Sequence, residues 1–225
     1  MNVFVYIFFG LFIAVTIAEL IMAFNEIEKA RMILKPFSMF FLAIAALIAV
    51  PNHPLIYLGA FLGMVGDIFL LWPKNKKMFL AGATSFLVGH TLYISEIIHI
   101  MFKGQALPWW FYAVVSFGVL LFVLAFYPMS KKISGDRYLT LVGNTYIAVL
   151  ILVSVVSIIA CVKGFTNFMV LGIIGGISFL ASDLILVQAT FVKDFKRRDY
   201  YIMLFYLLGQ ALIVSGLVLT YVFAA

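Results

Sequence analysis

The chain has 225 residues, of which 66% are apolar and only 11% charged, and its net charge is +6. Soluble domains are nearer about half apolar and about a quarter charged, so a large soluble domain beside the apolar runs is excluded. The runs are continuous rather than alternating, which argues against a β-barrel and for an all-α polytopic membrane protein, a single domain over residues 1–225.

A crossing helix needs about 20 apolar residues. The N-terminal MNVFVYIFFGLFIAV has no basic leader and no clear small-residue cleavage site. It therefore reads as a first span rather than a removed signal peptide. Continuing along the chain, the runs predict a bundle of eight spans: Val3–Phe24, Pro36–Val50, Leu55–Trp72, Met78–Met101, Trp109–Tyr127, Tyr138–Val162, Phe165–Val192 and Tyr200–Ala224. Prolines 36, 51, 54, 73, 108 and 128 fall mostly at the edges of these runs, where a missing N–H costs least.

Thirteen of the fifteen Lys and Arg lie in the odd-numbered loops. Lys29, Arg31 and Lys35 belong to the first, Lys74, Lys76 and Lys77 to the third, Lys131, Lys132 and Arg137 to the fifth, and Lys193, Lys196, Arg197 and Arg198 to the seventh. The even loops hold only Lys103 and Lys163. This asymmetry predicts cytoplasmic odd loops, with the N- and C-termini both on the non-cytoplasmic side. Topology thus accounts for the positive charge, and nucleic acid is not expected as a partner. The single cysteine, Cys161, excludes an intrachain disulfide and a cysteine-based metal cage.

Two segments resemble each other. GDIFLL, a basic loop and FLVGHTLYI occupy the third and fourth spans; SDLILV, a basic loop and YLLGQALIV occupy the seventh and eighth. Asp67 then corresponds to Asp183, and Gly89-His90 to Gly209-Gln210. This pattern reads either as a parallel repeat of four helices per half or as convergent use of small residues in packed helices.

A carboxylate at mid-membrane costs about 2.5–3.5 kcal/mol on insertion scales, so Asp67 and Asp183 call for a reason: a functional site, or hydrogen bonding between helices. At 1.5 Å per residue, Asp67 lies roughly 10 Å from Lys74, Asp183 roughly 15 Å from Lys193 and His90 roughly 20 Å from Lys77. All three fall in the cytoplasmic half or near the midplane, where one cavity could join them. Gly59, Gly63 and Asp67 share a helix face, and Gly172, Gly176 and Asp183 lie near a common face. Such small-residue stripes permit close helix approach.

His90 and Tyr93 stand i, i+3 on the fourth span, and Tyr206 and Gln210 i, i+4 on the last. Asn144 and Tyr146 add polar groups to the sixth. These residues are candidates to line the same cavity, or are packing residues. Glu19, near the cytoplasmic end of the first span, is positioned to snorkel or to serve a functional role. Glu96 and His99 read as a local pair toward the outer face, and His53 lies in an outer loop. Three histidines at unrelated depths do not build a zinc site, and no H-E-x-x-H, G-x-S-x-G or P-loop occurs. No metal or cofactor is expected. The usable chemistry is two carboxyls, an imidazole and several phenols.

KPFSMF, GDIFLLWP, FLVGHTLYI, FLASDLILV and YYIMLFYLLGQALIVSG together resemble the YhhN family of eight-span membrane proteins, which includes the lysoplasmalogenases. The resemblance runs over nearly the whole chain. It implies hydrolysis of the vinyl ether of a lysoplasmalogen, a lysophospholipid, to a fatty aldehyde and glycerophosphoethanolamine or glycerophosphocholine. It carries catalytic roles onto Asp67, His90 and Asp183, with Lys35, Tyr93, Tyr146 and Gln210 as cavity partners. Asn144 and Tyr206 join them as substrate-binding candidates. Lys35, at the cytoplasmic edge, is placed to attract the lipid phosphate or to serve topology only. Two carboxyls suit acid hydrolysis of a vinyl ether, one protonating carbon while the other faces the cation; which Asp does which is open, as is the oligomeric state.

A proton-coupled carrier of a small molecule or lipid would use the same acids, although no helix reads as broken at mid-depth in both halves. A lipid-binding scaffold is a third reading. The expected location is a bacterial inner membrane.

Overall fold

The computed structural model describes residues 2–72, 75–102, 109–164 and 166–223. They form eight α-helices: α1 (Val3–Phe24), α2 (Glu28–Ala49), α3 (Pro54–Phe69), α4 (Lys76–Met101), α5 (Trp109–Ser134), α6 (Arg137–Val162), α7 (Met169–Val187) and α8 (Arg198–Phe223). One π-helical turn, Gln188–Val192, extends α7. No strand occurs among the described residues. Phe165 and Ala224, chosen above as span ends, lie outside the described residues.

Side chains and glycines fix the helix ends. Asn2, Asn75 and Asp136 accept backbone N–H bonds at the starts of α1, α4 and α6, each satisfying donors the first turn leaves free. Pro54 opens α3, where no N–H is needed. Gly135, at φ +67°, follows α5 and donates to the Lys131 carbonyl, a left-handed stop that suits glycine.

The spans differ from the sequence expectation at α2 and α5. Pro36 and Pro128 lie inside these helices rather than at their edges. The apolar run measures only the part suited to lipid, whereas backbone hydrogen bonding continues into charged turns on either side. Pro36 leaves the Met32 carbonyl without its usual i+4 donor, beside Lys35.

Six helices are long and apolar enough to cross a membrane: α1, α2, α4, α6, α7 with its π extension, and α8. This is the composition of a multi-pass membrane protein. The 16-residue α3 and the apolar part of α5, Val115–Pro128, are shorter. At 1.5 Å per residue α3 measures roughly 24 Å, less than the hydrocarbon thickness.

Around the bundle, α1 packs on α2, α2 on α3, α3 on α4, α4 on α6, and α6 on α7. The last helix closes the ring, packing tightly on α7 and also touching α1, α2, α3 and α4. The fifth helix stands outside, against α6 and the π turn. At one end of the bundle, Asn2, the 50–53 turn and Tyr221 line a common opening. At the other, Arg31 pairs with Asp199, and Arg197 covers the Phe24 ring. The starts of α4 and α6 are joined by a bond from Lys76 to Asp136; that bond, above all, holds the Asp136 carboxyl below its ordinary range.

Lipid gives little hydrophobic drive for helices to associate, so close packing must do it. Two crossings show how. A Cβ on Gly89 would meet the Gly59 carbonyl at 3.0 Å, bringing α4 against α3. A Cβ on Gly209 would meet the Gly175 carbonyl at 2.9 Å, bringing α8 against α7. At both crossings the obstacle is backbone, which cannot rotate away.

Gly209→Val should therefore lower stability by about 1–3 kcal/mol, the usual cost of overpacking, read as a drop in thermal midpoint in detergent. Gly10→Ala, where nothing lies within 4 Å, should leave the midpoint essentially unchanged. Equal midpoints for the two variants would contradict the crossing.

Candidate functional site

The α3 face bearing Gly59, Gly63 and Asp67 meets aromatic and polar side chains from α4 and α8. Tyr93 of α4 lies against Gly59, where a Cβ would meet its ring. The Tyr206 hydroxyl and Gln210 amide of α8 stand 3.6 Å from a Cβ built on Gly63. Both glycines thus open space for polar groups between helices. Tyr93 donates its hydroxyl to Gln210 Oε1 at 3.0 Å, tying α4 to α8 in the interior.

Asp67, 1% exposed, sits where this face ends. Tyr206 donates a 2.6 Å hydrogen bond to its Oδ2. Lys35 of α2, only 7% exposed, places Nζ 3.5 Å from Oδ1. The lysine is therefore inside the bundle in an ion pair, not at the edge as the sequence suggested. Its place on the last polar turn before the apolar run of α2 allows either position; α3 and its carboxylate decide.

Glu19 of α1 is another correction. It does not snorkel: it is fully buried, accepts a 3.0 Å bond from Ser38 on Oε2, and leaves Oε1 without a partner. It lies within electrostatic range of both Lys35 and Asp67. Packing of α1 on α2 shuts its route to water. Ser38 carried no sequence signal beyond being a small polar residue in an apolar run.

Asp183 approaches from α7. The Gly172 and Gly176 face seats Ser157 and Ser154 of α6, so Asp183 meets α6 and its Tyr146. The Asp183 residue is half-buried, yet its Oδ2 is closed off and without a hydrogen bond. The buried Tyr146 hydroxyl faces it without a well-formed hydrogen bond, close enough for the two groups to interact. Together they line a cavity of about 60 Å³ with Phe79, Phe86 and Val142, enough for a few waters. Lys35 lies within electrostatic range of Asp183 as well as Asp67, and Tyr146 within range of both carboxyls. The aspartates therefore share neighbours in one buried region.

His90, the third candidate for a catalytic role, bonds neither aspartate among the described residues. Its Nδ1 lies 2.8 Å from the Phe86 carbonyl; a carbonyl only accepts, so Nδ1 carries the proton. Nε2 is buried with no partner. The ring packs edge-on against Phe179 at 4.3 Å, with Tyr93 and Tyr146 farther off at 5.7 and 6.2 Å. Asn144 is buried nearby in sequence on α6, with Nδ2 unpartnered.

Glu96 also departs from the sequence expectation. It bonds His53 Nδ1 at 2.9 Å and accepts from the Tyr221 hydroxyl at 2.6 Å, rather than pairing with His99. Two openings near that end of the bundle are larger than the Tyr146 cavity, about 370 and 380 Å³, but neither is lined by the buried aspartates. Among the described residues, no group of three His, Cys, Asp or Glu is arranged to hold a metal ion.

This arrangement of carboxyls, phenols and one ammonium lies on helices that a family model covers: the model of the YhhN family matches residues 30–217. The chain belongs to the YhhN family. No curated protein and no solved structure gives a significant match. Lys35, Asp67, His90, Asp183 and Tyr206 of this YhhN protein lie inside the matched span, and Glu19 lies before it.

Removing one member of a buried pair strands the other. Lys35→Met should therefore cost about 3–5 kcal/mol, seen as a fall in thermal midpoint. Adding Asp67→Asn should recover part of the loss. A double variant less stable than Lys35→Met alone would contradict the ion pair.

Proposed function

We propose that this YhhN protein is a lysoplasmalogenase, a hydrolase of the vinyl ether bond of lysoplasmalogen acting within a membrane. Family membership supports that class. The observation that carries the reading is a buried Asp67 held by Lys35 and Tyr206, with a second, half-buried carboxyl, Asp183, lining a small cavity beside Tyr146. The lysophospholipid substrate and the bacterial plasma membrane as its location belong to the same proposal.

The chemistry follows from charge. A vinyl ether, R–CH=CH–O–R′, accepts a proton on the outer carbon and becomes an oxocarbenium ion, R–CH2–CH=O⁺–R′. Water adds to the cationic carbon and loses a proton. The hemiacetal then breaks its C–O bond to R′, giving R–CH2–CHO and HO–R′. Protons gained and lost balance over the cycle, and one water is consumed. One carboxyl must begin as an acid and another group must be an anion near the cation.

Lys35 supplies one positive charge beside the aspartates, so it balances one carboxylate. In the proposal the second carboxyl holds the proton that goes to carbon, as in the acid and carboxylate pair of glycosidases. Tyr146, between them electrostatically, orients the reacting water or the ether oxygen. Gln210 and Tyr93 brace the α4–α8 side of the site. His90 acts through ring packing with Phe179 and through its free Nε2, which can accept a proton or a hydroxyl bond.

Asp67→Asn and Asp183→Asn should each abolish aldehyde release from lysoplasmalogen by the purified protein, with the variant still inserted and folded. Full activity in either variant removes that residue from the mechanism. Counterflow of substrate across liposomes without aldehyde would instead mark a proton-coupled carrier.

A further inference from the structure

The end of the bundle where Arg31 pairs with Asp199 contains a cavity of about 230 Å³ between the α1–α2 turn and the segment before α8. Its walls carry four cations, Arg31, Lys196, Arg197 and Arg198, and four carboxylates, Glu26, Glu28, Asp194 and Asp199. Some of these charges are already used. Asp199 binds Arg31 at 3.1 Å, and Arg198 binds Asp194 at 2.6 Å and Asp199 at 3.6 Å. Among the described residues, no carboxylate pairs with Lys196 or Arg197, and no cation pairs with Glu26 or Glu28. Two cations and two anions, all exposed, are left without an ion pair around one space, Arg197 stacking on Phe24.

The backbone shapes the rim of the cavity. Glu26 and Arg197 have φ of +58° and +59°, and among the described residues they are the only non-glycine residues on the left-handed side. Side chains with a Cβ rarely adopt this conformation; at Glu26 it closes the end of α1, where the Glu26 and Ile27 N–H groups donate to the Ala23 and Met22 carbonyls. Both strained residues line the cavity. Arg197 is held in place by the Phe24 ring, 3.8 Å from its guanidinium carbon.

Position links the cavity to the buried carboxyls. Its wall residue Ala23 is one helical turn from Glu19, and Arg31 is one turn from Lys35. One turn is about 5.4 Å. In a lysophospholipid the phosphorus and the ether oxygen on the first glycerol carbon are five bonds apart, about 6 Å when extended. The phosphate-to-ether distance is thus of the same order as the one-turn step along α2 from the cavity wall at Arg31 to Lys35.

We propose that this cavity is the head-group site for a zwitterionic lysophospholipid, with Lys196 and Arg197 taking the phosphate and Glu26 and Glu28 taking the ammonium. The assignment rests on the proposed hydrolase reading for the depth of the ether, and adds to it the basis for head-group choice. Arg31 and Arg198, already paired, fix the cavity wall. An anionic lipid without an ammonium would satisfy the cations but place its charge among the glutamates.

The test uses the full chain and lipids with a saturated ether, which are not hydrolysed. Binding is measured for alkyl-ether lysophosphatidylethanolamine, alkyl-ether lysophosphatidic acid and headgroup-free alkylglycerol. The wild type should bind the zwitterionic lipid about tenfold more tightly than alkylglycerol. Lys196→Ala with Arg197→Gly should remove most of that difference; glycine relieves the strain, so the fold should persist. Glu26→Gln with Glu28→Gln should remove the preference for the zwitterionic over the anionic lipid. An unchanged order of binding in both double variants, with thermal midpoints preserved, would overturn the site. Free glycerophosphoethanolamine competing as well as the lipid would overturn the lipid assignment in favour of a water-soluble phosphodiester. Aldehyde release separates the two claims. No aldehyde with the binding order intact fails the hydrolase reading alone; aldehyde with KM unchanged in both double variants fails the head-group site alone.

Discussion

The interior depends on one ammonium. Lys35 stands among Glu19, Asp67 and Asp183, all within its electrostatic reach. A charge taken out of water costs several kcal/mol even after relaxation, so three ionised carboxylates around one cation would leave two charges uncompensated. Charge balance favours one carboxylate beside the lysine and protons on the others. Carboxyls grouped around a single cation are the groups that the proposed vinyl ether hydrolysis draws on. The same lysine therefore connects stability to the proposed chemistry: it makes a buried carboxylate tolerable, and it limits how many there can be.

The glycines make that grouping sterically feasible. Gly59 and Gly63 leave room for Tyr93, Tyr206 and Gln210 between α3, α4 and α8, and the Gly175–Gly209 crossing brings α8 against α7. The last helix thus touches Asp67 through Tyr206 and reaches Tyr93 through Gln210. It carries the hydrogen bonds that join the two sides of the bundle. Packing here is a geometric requirement of the site, because polar side chains can meet across helices only where a neighbouring Cβ is missing.

Much of this was legible in the sequence, for identifiable reasons. Hydropathy located all eight helices from their continuous apolar runs, six of them long and apolar enough to cross a membrane. Asp67 and Asp183 stood out because a carboxyl in such a run is costly, and the glycine spacing marked the α3 face. What the sequence left open depended on the third dimension. Glu19 and Lys35 lie near the polar ends of their runs, where periodicity cannot tell a snorkelling side chain from one folded inward. The packing of α1 on α2 and α2 on α3 turns both inward. Glu96 found His53 and Tyr221, far away in sequence, in place of His99 on its own helix. Pro36 and Pro128 hid helix continuity, since the apolar pattern ends before the backbone hydrogen bonding does.

The central claim is that a buried carboxyl delivers a proton to carbon. Its most direct measurement is hydrolysis of lysoplasmalogen in D2O, with the aldehyde trapped by rapid reduction before it can exchange. The account predicts one deuterium on the carbon next to the former aldehyde carbon, and a slower rate in D2O because protonation of carbon limits turnover. Aldehyde formed without deuterium at that carbon would contradict it.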